Sequence, residues 1–158
     1  MARFFLTRHG ETVWNRERKY QGQSDVPLTD EGRIQAKSLS ERLKDEKIDV
    51  IYASDLGRTM ETAEIIAEHH GRKVVPAPLM RELNFGIWEG MTYDEIMQKW
   101  AKEYNKWQDD PYNENPPEGE TLSELCERIS KFLMKAAQDH PDGRILVVSH
   151  AGPISAIL

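Results

Sequence analysis

The chain has one cysteine, Cys126, in 158 residues, so no internal disulfide can form and a disulfide-stapled scaffold is excluded. No apolar run approaches the ~20 residues that a membrane helix needs. The opening Met1-Ala2-Arg3-Phe4-Phe5-Leu6 is too short and too soon polar for a secretory signal. Together these absences point to the cytoplasm. No Lys/Arg run is present and the net charge is −6, so neither nucleic acid nor a membrane is an expected partner. There is no Gly-x-Gly-x-x-Gly, no Walker phosphate loop, no Gly-x-Ser-x-Gly and no zinc-ligand spacing. Internal repeats, low-complexity tracts and domain boundaries are also missing, so residues 1–158 read as a single domain.

What is present is an alternation of short apolar runs and amphipathic stretches. Residues 3–8 read as a strand. Residues 29–46 read as a helix with Ile34, Leu39 and Leu43 on one face and Thr29, Asp30 and Glu31 at its start. A second strand follows at 48–53. Ser54 is then placed to cap a helix over 55–70, and Gly71 to end it. Residues 73–76 form a third, short strand. Thr92 to Glu95 and Thr121 to Glu124 are capping boxes. The second opens a helix with Leu122, Leu125, Ile129, Phe132 and Leu133 on one face. Ile145-Leu146-Val147-Val148, within 144–149, is a strand of the buried type. Pro111, Pro116 and Pro117 bar regular structure over 108–120. The pattern predicts an α/β fold, three-layer α/β/α with a mostly parallel central sheet and residues 84–120 as a cap-like insertion.

Ligands of open α/β sheets bind outside the carboxyl ends of the strands. Those ends carry Arg8, His9 and Gly10; Ser54 and then Arg58; Arg81 and Glu82; and His150, Ala151 and Gly152. Arginine supplies the fixed, bidentate charge that a phosphate dianion needs. An unprotonated imidazole is a competent nucleophile, and a carboxylic acid can protonate a leaving oxygen. Each residue has a plainer reading: Arg58 could pair with Asp55 or Glu61, Glu82 could be a surface charge, and His150 could bond a carbonyl. Their convergence on one rim favours phosphoryl transfer with His9 as nucleophile. Two histidines and Glu82 could hold a metal, but the flanking arginines would repel a cation, so neither metal nor cofactor is expected.

Other reactive-looking residues read as structural. His69 and His70 suit a solvated helix end. Cys126, between Leu125 and Ile129, reads as a small core residue. In the insertion, Met97, Trp100, Tyr104 and Trp107 recur at helical spacing, which first suggests packing onto the sheet. Trp88 and Tyr93 are the candidates to line a water-excluding pocket.

The chain resembles the histidine phosphatase superfamily, also called phosphoglycerate-mutase-like. The opening Thr7-Arg8-His9-Gly10-Glu11-Thr12-Val13-Trp14-Asn15 carries the resemblance. It continues through Tyr20-Gln21-Gly22, Ser54-Asp55-Leu56-Gly57-Arg58-Thr59, Arg81-Glu82-Leu83-Asn84-Phe85-Gly86-Ile87-Trp88-Glu89-Gly90 and Pro117-Glu118-Gly119-Glu120-Thr121, and closes at Val148-Ser149-His150-Ala151-Gly152. It implies a transient phosphohistidine on His9, with Arg8, Arg58 and His150 clamping the phosphoryl oxygens. Asn15 and the backbone N–H of Ala151 would be further donors. Glu82 would be general acid and then base, with Gln21 and Gly22 near the substrate.

The segment after Glu82 lacks the Tyr-Gly character of cofactor-dependent mutases. It is similar to the branch of broad-specificity and α-ribazole phosphatases, between which the sequence does not choose. The implied substrate is a small phosphorylated metabolite. A mutase or sugar-bisphosphatase, and a non-catalytic phosphate-binding module, stay open, and a homodimer is compatible with the chain. Members of that branch continue for several tens of residues past the second histidine motif. A chain stopping at Leu158, in a helix begun near Pro153, is therefore expected to be a natural short form or a fragment.

Overall fold

A computed structural model describes residues 1–158. Strands β1 (Arg3–Arg8), β2 (Val50–Ala53), β3 (Val74–Pro76) and β4 (Arg144–Ser149) form one parallel sheet in the order β1-β4-β2-β3. Every connection between strands is long, as parallel pairing requires. Helices α1 (Val13–Arg16) and α2 (Asp30–Leu43) lie between β1 and β2. Helix α3 (Gly57–Ala67) joins β2 to β3, while α4 (Tyr93–Asp109) and α5 (Leu122–Asp139) precede β4, and α6 (Ala151–Ile157) follows it.

The last strand in the sequence, β4, is an inner one, between β1 and β2. Ile145, Leu146, Val147 and Val148 of β4 are almost fully buried. Because strand side chains alternate between faces, Ile145 and Val147 pack with Leu125, Ile129, Phe132 and Ala136 of α5. Leu146 and Val148 pack on the other face with Ala63, Ile66 and Ala67 of α3. This is the expected three-layer arrangement.

Several local expectations change. Ile34 is 56% exposed. Leu39 and Leu43 pack against the core under α3 as expected, while the buried positions of α2 are Gly32, Ala36 and Ser40. Gly32 lies against the Glu11 backbone, and Ser40 Oγ donates to the Ile65 carbonyl of α3 at 3.0 Å. Ser54 does not cap α3. The helix starts two residues later than expected, after Leu56, with no side-chain cap, and its last residue is Ala67. Gly71, at φ 57°, closes the turn that follows the helix rather than the helix itself. Cys126 is half-buried outside the core, 3.8 Å from the Tyr112 hydroxyl. His69 meets Glu41 at 3.0 Å beyond the end of α3.

The aromatic insertion builds its own small core. Trp88, Ile96 and Tyr104 are buried together, with Tyr20, Phe85, Met97, Trp100 and Trp107 around them. Trp88 lies 5.3 Å from Tyr104 and 5.6 Å from Trp107 between ring centroids. Helix α4 breaks at Trp100 (φ −133°, ψ 25°), and Ile96 before the break and Tyr104 after it both pack with Trp88. Phe85 and Trp107 are the residues that also touch the α5 side of the main core.

Leu125→Ala should lower the unfolding free energy by about 2–5 kcal/mol, whereas Ile34→Ala should change it by less than about 0.5 kcal/mol. Urea titrations of the two variants check this. Similar losses would contradict the inward face assigned to α2.

Candidate active site

The site begins with strand register. Arg8 of β1 is paired with Ser149 of β4, so His9 and His150 leave neighbouring strands side by side. Their ring centroids are 5.2 Å apart, with the planes at 62°. Ala53 of β2 is paired with Val148, which brings Ser54 next to His150. Ser54 Oγ lies 2.9 Å from His150 Nε2. When the hydroxyl donates there, the proton of the neutral imidazole sits on Nδ1.

His9 is buried, and its Nδ1 lies 2.6 Å from the Gly10 carbonyl. A carbonyl can only accept, so Nδ1 carries the proton and Nε2 keeps its lone pair. Burial pushes the His9 pKa down from 6.5 to about 3, and the charges of Arg58 and Arg8 add to the effect against the opposing Gly10 bond. The ring is therefore neutral at physiological pH. The Gly10 N–H donates to Thr62 Oγ1 of α3 at 3.1 Å, which fixes the turn that carries His9.

Arg58, in the first turn of α3, is 1% exposed. Burial lowers its pKa to about 10, opposed by Glu82, Asp25 and Glu89, so it stays cationic at neutral pH. Its Nη1 donates to the Ser24 carbonyl at 2.6 Å and its Nη2 to the Gly22 carbonyl at 2.5 Å. Glu89 holds that loop, accepting from the Gln23 N–H at 2.5 Å and from Ser24 Oγ at 2.9 Å. Gly22 has φ 53°, and a Cβ there would collide with the Glu89 carboxylate, so the loop requires glycine at this position.

Glu82 follows β3 across a short helical turn. Its carboxylate accepts from the Leu83 N–H at 2.8 Å and the Gly152 N–H at 3.2 Å. Burial raises its pKa despite those bonds and the attraction of Arg58 and Arg8. A Cβ at Gly152 would occupy the space of the Glu82 carboxylate. Two buried donors or acceptors of this cluster, Arg58 Nε and His150 Nδ1, have no partner in the protein. Burying a polar group without a partner is costly, so each of the two atoms is available to a hydrogen-bonding ligand.

The remaining expected residues divide. The Arg8 side chain is exposed and lines an entirely polar cleft of about 430 Å³ with His9, Glu11, Asn15 and Gln35. Asn15 Oδ1 is taken by the Thr12 N–H at 2.9 Å, which leaves its amide N–H groups for the cleft. Gln21 is buried and turned to Thr12, whose hydroxyl donates to Gln21 Oε1 at 2.5 Å. Ala151 opens α6 on the surface, and it is Gly152, not Ala151, whose N–H reaches Glu82. Arg81 is not part of the cluster: it forms a bidentate pair with Asp55, both contacts 2.6 Å. Trp88 is fully buried in the insertion core and Tyr93 is exposed beside Tyr104, so neither lines the cleft.

Ser54 stands at the rim, as its strand-end position predicts, but does not cap the helix. No local signal points to Thr62, Gln35 or Glu89. Glu89 acts across 66 positions of sequence on Gln23, a contact no local spacing signals.

Paired buried imidazoles beside a guanidinium and a raised carboxyl define a histidine-based phosphoryl-transfer site. The chain matches the histidine phosphatase superfamily (branch 1) over residues 4–158, and it belongs to that family. It is 36% identical over 157 residues to "Phosphoserine phosphatase 1" of Hydrogenobacter thermophilus, covering 99% of this chain and 74% of that one. It is 40% identical over 162 residues to "Probable phosphoglycerate mutase GpmB" of Cronobacter sakazakii, covering 100% and 74%. Among solved structures, Bacillus stearothermophilus YhfR superposes with a TM-score of 0.93 at 34% identity, covering 99% of this chain and 78% of that one. The α-ribazole phosphatase from Shigella flexneri superposes at 0.90 and 32%, covering 96% and 75%. Two of these relatives are named phosphatases and one a probable mutase, and the chain is an enzyme of their superfamily.

The buried imidazoles make stability depend on pH. Native His9 stays neutral down to about pH 3, whereas in the unfolded chain it protonates below 6.5. The unfolded state therefore binds more protons in that window, and stability falls as pH falls through it. His9→Asn should remove about 1.4 kcal/mol per pH unit of that slope. Denaturant titrations across the window test this, and an unchanged slope would contradict a buried neutral His9.

Proposed function

We propose that the chain is a phosphomonoester hydrolase that works through a phosphohistidine on His9. The observation that carries this reading is the state of His9: neutral, buried, with Nδ1–H tied to Gly10 and Nε2 unencumbered. In the first step Nε2 attacks phosphorus and the ester P–O bond breaks. Glu82, whose raised pKa favours the protonated form, gives its proton to the leaving oxygen. The Gly10 carbonyl steadies the positive charge that the ring acquires. Arg8, Arg58 and His150 hold the equatorial oxygens, with Asn15 and the Ala151 N–H as further donors. Glu82, now a carboxylate, takes a proton from water as the water oxygen attacks phosphorus. The P–N bond breaks, inorganic phosphate leaves, and His9 and Glu82 return to their first states.

The substrate in this reading is a small phosphorylated metabolite, with α-ribazole phosphate, phosphoserine and a broad phosphoester range as the first candidates. The polar lining of the cleft at His9 suits a hydrophilic ester. A mutase is the second reading, favoured by the relatives named as phosphoglycerate mutases.

His9→Ala should abolish both turnover and the acid-labile phosphoenzyme trapped from labelled substrate. A fully active variant would refute the mechanism. Incubation with 3-phosphoglycerate separates the two readings, since isomerised product without free phosphate would favour the mutase.

A further inference from the structure

The segment that carries Glu82 belongs to neither strand nor long helix, so no backbone ladder fixes it. Side chains do so instead. Arg128 of α5 has five N–H donors, and all five are used. Nε and Nη2 donate to the two carboxylate oxygens of Glu120 at 3.1 and 2.5 Å. Nη1 donates to the carbonyls of Leu79 at 2.6 Å and Arg81 at 2.7 Å. Nη2 also donates to the Glu82 carbonyl at 2.9 Å.

The Met80 carbonyl, between these, accepts from Ser149 Oγ at 2.8 Å. Glu120 completes the frame on the far side of Glu82. Its Oε1 accepts from the Asn84 N–H and its own N–H donates to the Asn84 carbonyl, both at 2.9 Å. Four consecutive carbonyls, Leu79 to Glu82, are thus held from outside the segment. The Arg128 and Glu120 side chains are only 16% and 15% exposed, so water screens the pair little.

We propose that Arg128, oriented by Glu120, is a positioning residue for Glu82: it sets the backbone from which the carboxyl meets the leaving oxygen. It touches neither substrate nor reacting atoms. A proton donor displaced by a fraction of an ångström loses much of its effect. Lysine cannot take over this role, because an ammonium offers three donors from a single point and no planar fork. The proposal rests on the reading of Glu82 as general acid.

A positioning defect has a signature that general damage lacks. Proton donation matters for an alkyl ester, whose alkoxide leaves poorly, and little for a nitrophenyl ester, whose phenolate leaves unaided. The full chain, Glu82→Gln, Arg128→Lys and Glu120→Gln are compared on phosphoserine and on p-nitrophenyl phosphate, with folding checked by near-UV circular dichroism. Glu82→Gln and Arg128→Lys should each lose about 10²-fold in kcat/KM on phosphoserine, a quantity that ends at departure of the leaving group and so excludes the hydrolysis step, common to both esters, in which Glu82 acts as base. On the nitrophenyl ester they should lose less than about tenfold. Glu120→Gln, a neutral isostere that keeps the frame's shape, should show the same selective loss in weaker form and serves if Arg128→Lys does not fold.

Equal losses on both esters, or unchanged rates, in Arg128→Lys or its substitute would overturn the proposal. If Glu82→Gln itself shows no difference between the esters, the assignment of Glu82 fails and the role of Arg128 fails with it. A selective Glu82→Gln beside a non-selective Arg128→Lys removes Arg128 alone.

Discussion

The parallel pairing of β1 with β4 is the constraint on which the rest of the site depends. It sets Arg8 level with Ser149, so the two histidines that follow must emerge together, 5.2 Å apart between ring centroids. Only a strand buried on both faces can hold that inner place. The apolar run Ile145–Val148 supplies it, joining the core under α5 to the core under α3. A register slip of one residue would exchange those two faces and separate the imidazoles at the same time.

Burial then sorts the charges. Removing a group from water disfavours its charged form. His9 and His150 are pushed toward neutrality and Glu82 toward its acid form, while Arg58, lowered only to about 10, remains a cation. One desolvation effect thus yields an available lone pair, an available proton and a fixed positive charge within one cluster. Within the same cluster Arg58 Nε and His150 Nδ1 are buried without a protein partner.

The loops around the sheet ends are irregular, and side chains from distant parts of the chain give them shape. Glu89 holds the loop whose Gly22 and Ser24 carbonyls grip Arg58. Arg128 and Glu120 hold the segment that bears Glu82. Glycine at 22 and 152 leaves space for the Glu89 and Glu82 carboxylates respectively. These supports hold Arg58 and Glu82 through backbone carbonyls, and the aromatic insertion packs as a satellite core to one side.

The order of elements, the parallel sheet and the crowding of His9, Arg58, Glu82 and His150 at one rim were legible in the sequence. Hydrophobic period and capping residues are local signals, and strand ends in such a sheet must share an edge. The Arg81 guanidinium is occupied by its bidentate pair with Asp55, and a sequence does not show which partner wins. Ile34 is exposed although Leu39 and Leu43 of the same helix reach the core, because the helix turns position 34 away from α3. Trp88 is not a pocket residue because Ile96, Tyr104 and Trp107 of α4 enclose it. The sequence by itself determined which chemical groups this protein brings to its rim. Only the tertiary structure decided which of them are dry, which are already paired and which are left free, because desolvation and pairing depend on contacts between residues far apart in the chain.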